Sequence, residues 1–157
     1  MEFEIARAGL AGLAGTIVMT MVMAMGSMMG MRMDMPMTLG TMVLPRGRAA
    51  WVVGLMMHLM MGIVFFIIYA ALFSALGIRS AIPGWSALFG AVHALIAGVG
   101  FGMMPMLHPR MATESASGAD RVPAPGFLGV KLGKMGPIAV VAVHLAYAVV
   151  AGAVYAA

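Results

Sequence analysis

Four apolar runs, each long enough to cross a bilayer and nearly free of charge, leave little choice about what this chain folds into. They cover about residues 6–31, 49–76, 82–107 and 137–156. A membrane-spanning helix needs about 20 mostly apolar residues. None of the runs holds Asp, Glu or Lys, and the one arginine among them, Arg7, stands at the edge of the first. Strands of a membrane β-barrel would be shorter and would alternate in polarity. The first run exceeds a signal-peptide core, and Glu2 and Glu4 beside Arg7 make a poor positively charged flank. It reads as a retained helix. The expected fold is all-α, an integral membrane four-helix bundle in which residues 1–157 form a single transmembrane domain.

Composition agrees. Of 157 residues, 63% are apolar and 9% charged, against roughly 25% charged in a typical soluble domain. The net charge of +4 is confined to the gaps between runs and is not interleaved with aromatics, so it marks membrane topology and not a nucleic-acid footprint. Lys and Arg lie mostly in the first and third gaps, at Arg32, Arg46, Arg48, Arg110, Arg121, Lys131 and Lys134, with Arg7 and Arg79 on the other side. By the positive-inside rule those two gaps face the cytoplasm and both termini lie on the non-cytoplasmic side. The third gap, residues 109–136, is the one long polar connection, and its residues 127–134 read as a segment lying on the membrane surface.

Cysteine is absent, which excludes disulfides, thiolate metal sites and cysteine nucleophiles. Asn and Gln are absent too. No Ser-His-Asp set, paired carboxylates or phosphate-binding loop is visible, so nothing speaks for an enzyme. Small residues recur at four-residue spacing, at Gly90, Ala94, Gly98 and Gly102, at Ala8 and Gly12, at Gly26 and Gly30, and at Ala148, Gly152 and Ala156. Such ridges let helix backbones approach in lipid, within one chain or between copies.

Methionine is extreme, 21 of 157 residues, and apart from Met1 all lie between Met19 and Met135. They concentrate in the half of the bundle facing the first and third gaps. Thioether sulfur is a soft ligand suited to Cu(I); it is also a flexible packing group. On the first helix Met21, Met25, Met28 and Met29 share one face and Met19 and Met23 lie nearly opposite, so they cannot all line one site.

Histidine inside a bilayer span is a functional pointer. At about 1.5 Å per residue, His58 and His144 lie roughly 13 and 10 Å in from the same side, near the level of Met25 and Met28. His93 lies deeper, at roughly 20 Å, and His108 stands at the rim. A neutral imidazole bonded to a carbonyl or hydroxyl on a neighbouring helix would account for any one of them. Taken together with the methionines, the set points to a soft-metal Cu(I) site of His58, His144, Met25, Met28 and Met61, with His93 and His108 as second-rank candidates. The alternatives are haem b on His58 and His144, and a non-catalytic accessory subunit of a larger membrane complex. Zinc is disfavoured, because the spans offer no carboxylate or thiolate, and a proton-coupled transporter normally keeps an intramembrane charge. Self-association or a larger complex is expected, in addition to the lipid bilayer as partner.

Several stretches resemble a family of small four-helix bacterial membrane proteins classed as a domain of unknown function. They are Gly15-Thr16-Ile17-Val18-Met19-Thr20, the MxMxMP run at residues 31–36, the GxVHALIAGxGxGMMP stretch at residues 90–105, and His108-Pro109. The resemblance implies the architecture and a multi-pass protein of a bacterial plasma (inner) membrane, and brings no activity. Met57 and Met61 have the spacing of the trimeric copper-transporter family, but that family has three helices and this chain has four.

Overall fold

A computed structural model describes residues 3–28, 34–112 and 121–157. Its helices are α1 (Ile5–Met28), α2 (Met35–Gly40), α3 (Arg48–Ala75), α4 (Ile82–Leu107) and α5 (Gly136–Ala156). All but the six-residue α2 are long and apolar enough to cross a membrane. Their 24, 28, 26 and 21 residues give lengths of about 36, 42, 39 and 32 Å, against about 30 Å of hydrocarbon. Every described end of these four helices falls within one residue of the run that predicts it. The expected end of the first run, at residue 31, lies outside the described residues.

Prolines occupy the first turn of α2, α4 and α5, where the missing N–H costs nothing. The turn between α3 and α4 is tight: Gly77 (φ 69°) and Ala81 (φ 53°) take left-handed conformations, easy for the first and strained for the second.

Side by side, the helices run in the order α3, α1, α5, α4. Close approaches between small residues set the spacing. A Cβ on Gly62 would overlap the Thr16 side chain, and one on Gly90 would press on Ala148 and the His144 carbonyl. Without a hydrophobic effect between helices in lipid, such van der Waals contact holds the bundle. The small ridge of α4 is used within the chain: Gly90 meets α5, while Gly98 and Gly102 meet Leu128 and Phe127. Those two residues belong to a 3-10 segment, Phe127–Leu132, that tucks against α4 and α5 with Gly129 and Leu132 buried. The segment expected to lie on the membrane surface thus packs on the bundle along one side, with Phe127 and Val130 exposed on the other.

Although consecutive, α3 and α4 do not pack backbone to backbone. They meet through rings near their turn, Phe73 against Phe89 at 5.0 Å and Tyr69 against Phe89 at 5.5 Å between centroids. Phe66, Tyr147 and Tyr155 join this cluster from α3 and α5. Away from the turn the two helices leave a space.

At that far end α2 lies on α3, so close that a Cβ on Gly54 would overlap the Pro36 carbonyl. Asp34 caps α2 by accepting from the Met37 N–H at 3.0 Å. Arginines tie the same end together by donating to carbonyls: Arg110 to Thr41 (3.0 Å), Arg121 to Met111 (3.1 Å) and Arg46 to Arg121 (3.2 Å). A two-residue parallel ladder, Met111–Ala112 with Val122–Pro123, completes it.

Candidate functional site

Three histidines, one each from α3, α4 and α5, line the space between those helices and α1, a cavity of about 360 Å³. On α5, His144 is buried and its Nδ1–H donates to the Val140 carbonyl one turn back, at 2.7 Å. A carbonyl can only accept, so the proton is on Nδ1 and Nε2 carries a lone pair. On α4, His93 Nδ1 lies 3.0 Å from the Tyr69 hydroxyl, and its ring packs tilted against Phe65, 4.2 Å between centroids. The His93 and His144 rings meet at 4.9 Å between centroids, edge to face at 72°. On α3, His58 is buried, and its Nε2 has no hydrogen-bond partner. An orphaned buried polar atom costs about 1–3 kcal/mol and needs a reason for being there.

Five methionines share the cavity wall: Met19 from α1, Met35 from α2, Met42 just after it, Met61 from α3 and Met104 from α4. The cavity reaches the bundle surface between α3 and α4, where its rim residues Met61 and Ile96 are 42% and 63% exposed. Apart from the imidazoles, Thr16 and Tyr147, its wall is carbon and sulfur.

Of the residues singled out from sequence, His58, His144 and Met61 line this cavity together, and so does His93. Met25 and Met28 do not. They are 63% and 88% exposed on the outward face of α1, and they leave the candidate set. Their depth is suitable but their azimuth is not: the 100° step of the helix turns Met19 and Met23 inward instead, at 8% and 4% exposure. His108 leaves the set as well, because both ring nitrogens are engaged. Its Nε2–H donates to the Thr38 carbonyl at 2.8 Å, and its Nδ1 accepts from the Arg110 N–H at 3.1 Å. It fastens α2 to the end of α4. Met19, Met35, Met42, Met104 and Tyr69 were not singled out. The alternation of inward and outward faces on α1 is the sequence signal that bears on Met19.

The geometry restricts the chemistry. Among the described residues, no three His, Asp or Glu side chains converge as a ready-made metal group, so an ion here would need thioethers beside its imidazoles. Two imidazoles on one tetrahedral ion, at nitrogen–metal distances of about 2.0 Å, have centroids about 5 Å apart. The His93–His144 separation of 4.9 Å lies in that range, which is also the ordinary spacing of two rings packed edge to face. Placed trans across an iron, the same distances give about 6 Å, so this pair is not spaced as axial haem ligands.

Comparisons with protein-family models, with curated proteins and with solved structures return no match for this chain. The resemblance noted above thus rests on its own stretches of sequence. One of them, residues 90–105, supplies six lining residues at helical spacing, His93, Ile96, Ala97, Gly100, Phe101 and Met104.

Proposed function

We propose that this chain is a multi-pass membrane protein that holds Cu(I) in the cavity between α3, α4 and α5. Its ligands are imidazole Nε2 atoms and thioether sulfurs. The observation that carries the reading is the His93–His144 pair at 4.9 Å, set in a wall of five methionines with the orphaned Nε2 of His58. Soft thioethers select Cu(I). The hydrogen bond from His144 Nδ1 to Val140 is the kind of outer contact that orients a ligating imidazole. The ligand set is His93, His144 and His58, completed by Met19, Met42, Met61 or Met104. Haem b on His58 and His144 is the alternative, and the spacing of the His93–His144 pair does not bear on it.

The deciding experiment is metal analysis with a visible spectrum on protein purified in mild detergent, beside the His93→Ala/His144→Ala double variant. Stoichiometric copper that the double variant loses supports the reading. A Soret band would replace it with haem. A folded protein that takes up neither ends it.

The topology belongs to the same proposal: both termini outside, the arginine-rich end in the cytoplasm, and a bacterial plasma membrane as the location. The seven-to-two distribution of Lys and Arg supports it.

An accessory-subunit role is a second reading with its own observation. Met21, Met25, Met28, Met56, Met60 and Met106 face outward at 62%, 63%, 88%, 63%, 62% and 81% exposure. They make a flexible apolar surface suited to another copy or another membrane chain. A stoichiometric partner that co-purifies in mild detergent would favour it.

A further inference from the structure

Two cavities flank α2, and Met35 stands in the wall of both. The inner one is the histidine cavity. The outer one, about 580 Å³, lies between the end of α1 and α2, and includes the exposed polar residues Asp34 and Arg46. Its thioethers are Met23, Met35 and Met37. On α1, Met23 faces the outer cavity and Met19, one turn deeper on the same face, the inner one. Both are nearly fully buried, as is Met35 at 9% exposure. Buried methionines therefore stand in the walls of both chambers, with Met35 common to the two, and among the described residues the wall around Met35 offers no carboxylate but Asp34. Among the described residues Asp34 is the one acid lining the outer cavity, and it is engaged in capping α2.

We infer that Met35 is the transfer ligand by which Cu(I) passes from the outer chamber to the histidine cavity. This rests on the copper reading above. The ion enters as a chelate-bound Cu(I) delivered at the arginine-rich end. It moves by ligand exchange: as its bond to the Met35 sulfur forms, its bond to the Met23 or Met37 sulfur breaks. The Met35 bond then gives way to the lone pair on an imidazole Nε2. The metal stays at +1 throughout, and no electron or proton changes place. Soft ligands of similar strength, one step apart, let the ion advance without ever being stripped of donors.

The test uses the full chain in detergent with Cu(I) presented as its bicinchoninate complex. Loss of the chelate colour gives the rate of loading and the final stoichiometry. In Met35→Leu, a volume-conserving change, loading is expected to slow at least tenfold with the final stoichiometry unchanged. Met19→Leu, altered only in the inner cavity, is expected to weaken retention and leave the initial rate as it was. Loading of Met35→Leu at the unsubstituted rate overturns the route and leaves the site standing. Loss of binding in Met35→Leu also overturns it, by making Met35 a resident ligand. If the unsubstituted chain takes up no Cu(I), the route and the site fall together.

Discussion

The hydroxyl of Tyr69 and Nδ1 of His93 lie 3.0 Å apart and tie α3 to α4 at the inner end of a cavity along which those helices do not pack. If His93 binds a metal through Nε2, its Nδ1 carries the proton and donates to the Tyr69 oxygen, fixing both the tautomer and the ring plane. Tyr69→Phe keeps the ring contacts with Phe66 and Phe89 and removes only the acceptor. Copper affinity is expected to fall by roughly 10–100-fold, the usual effect of losing an outer partner, with thermal stability changed little. Competition against a Cu(I) chelator measures the first and a melting curve the second.

Ligand and bystander separate on one assay. His144→Ala is expected to weaken Cu(I) retention by more than the roughly 10–100-fold of an outer contact, whereas Met25→Leu and Met28→Leu are expected to leave it unchanged. Their side chains point away from the cavity. Equal losses in all three variants would place the copper elsewhere.

Gly62 is where α1 and α3 touch, and a Cβ there would run into Thr16. Overpacking of this kind costs about 1–3 kcal/mol, so Gly62→Ala is expected to lower the midpoint of unfolding in a denaturing detergent. Gly84, with nothing within 4 Å of its would-be Cβ, is the control. Gly84→Ala is expected to be neutral or stabilising by up to about 1 kcal/mol, as removal of a helical glycine usually is.

His108→Leu tests the fastening of α2. The Thr38 carbonyl loses the donor it receives from His108 Nε2, and Arg110 N–H loses its acceptor. A buried partner lost in this way costs about 1–3 kcal/mol. Amide exchange in α2 is expected to rise by roughly 5–150-fold, while exchange in α5, which His108 does not touch, stays as it was. Unchanged exchange in α2 would mean that its packing on Gly54 suffices.

The membrane helices were legible because span length and lack of charge are one-dimensional properties: α4 begins at Ile82 and ends at Leu107, the bounds its apolar run has. The site was half legible. Depth follows from counting residues, and it brought His58 and His144 to one level. Azimuth depends on which helices become neighbours, and the order α3, α1, α5, α4 is a property of packing. That order turned Met19 inward and Met25 outward, and it set His93 against His144. The short helix α2 was hidden for another reason: six residues are too few to leave a periodic trace, and its Asp34 cap and Pro36 sit inside a methionine-rich stretch that reads as loop. The fastening role of His108 leaves no trace in the sequence, because its two partners, the Thr38 carbonyl and the Arg110 N–H, are backbone groups that no side-chain pattern announces.

Towards the turn between α3 and α4, past His93, the bundle is filled with rings: Phe73 on Phe89, and Phe66 among Tyr69, Tyr147 and Tyr155. The histidine chamber is consequently a blind well. Its opening between α3 and α4 has an apolar rim of Met61 and Ile96, where a bare cation is costly. Any charged guest that descends past Met35 must climb back by the same shaft. On the copper reading proposed above, a chamber closed at that end would return its ion to the side it came from.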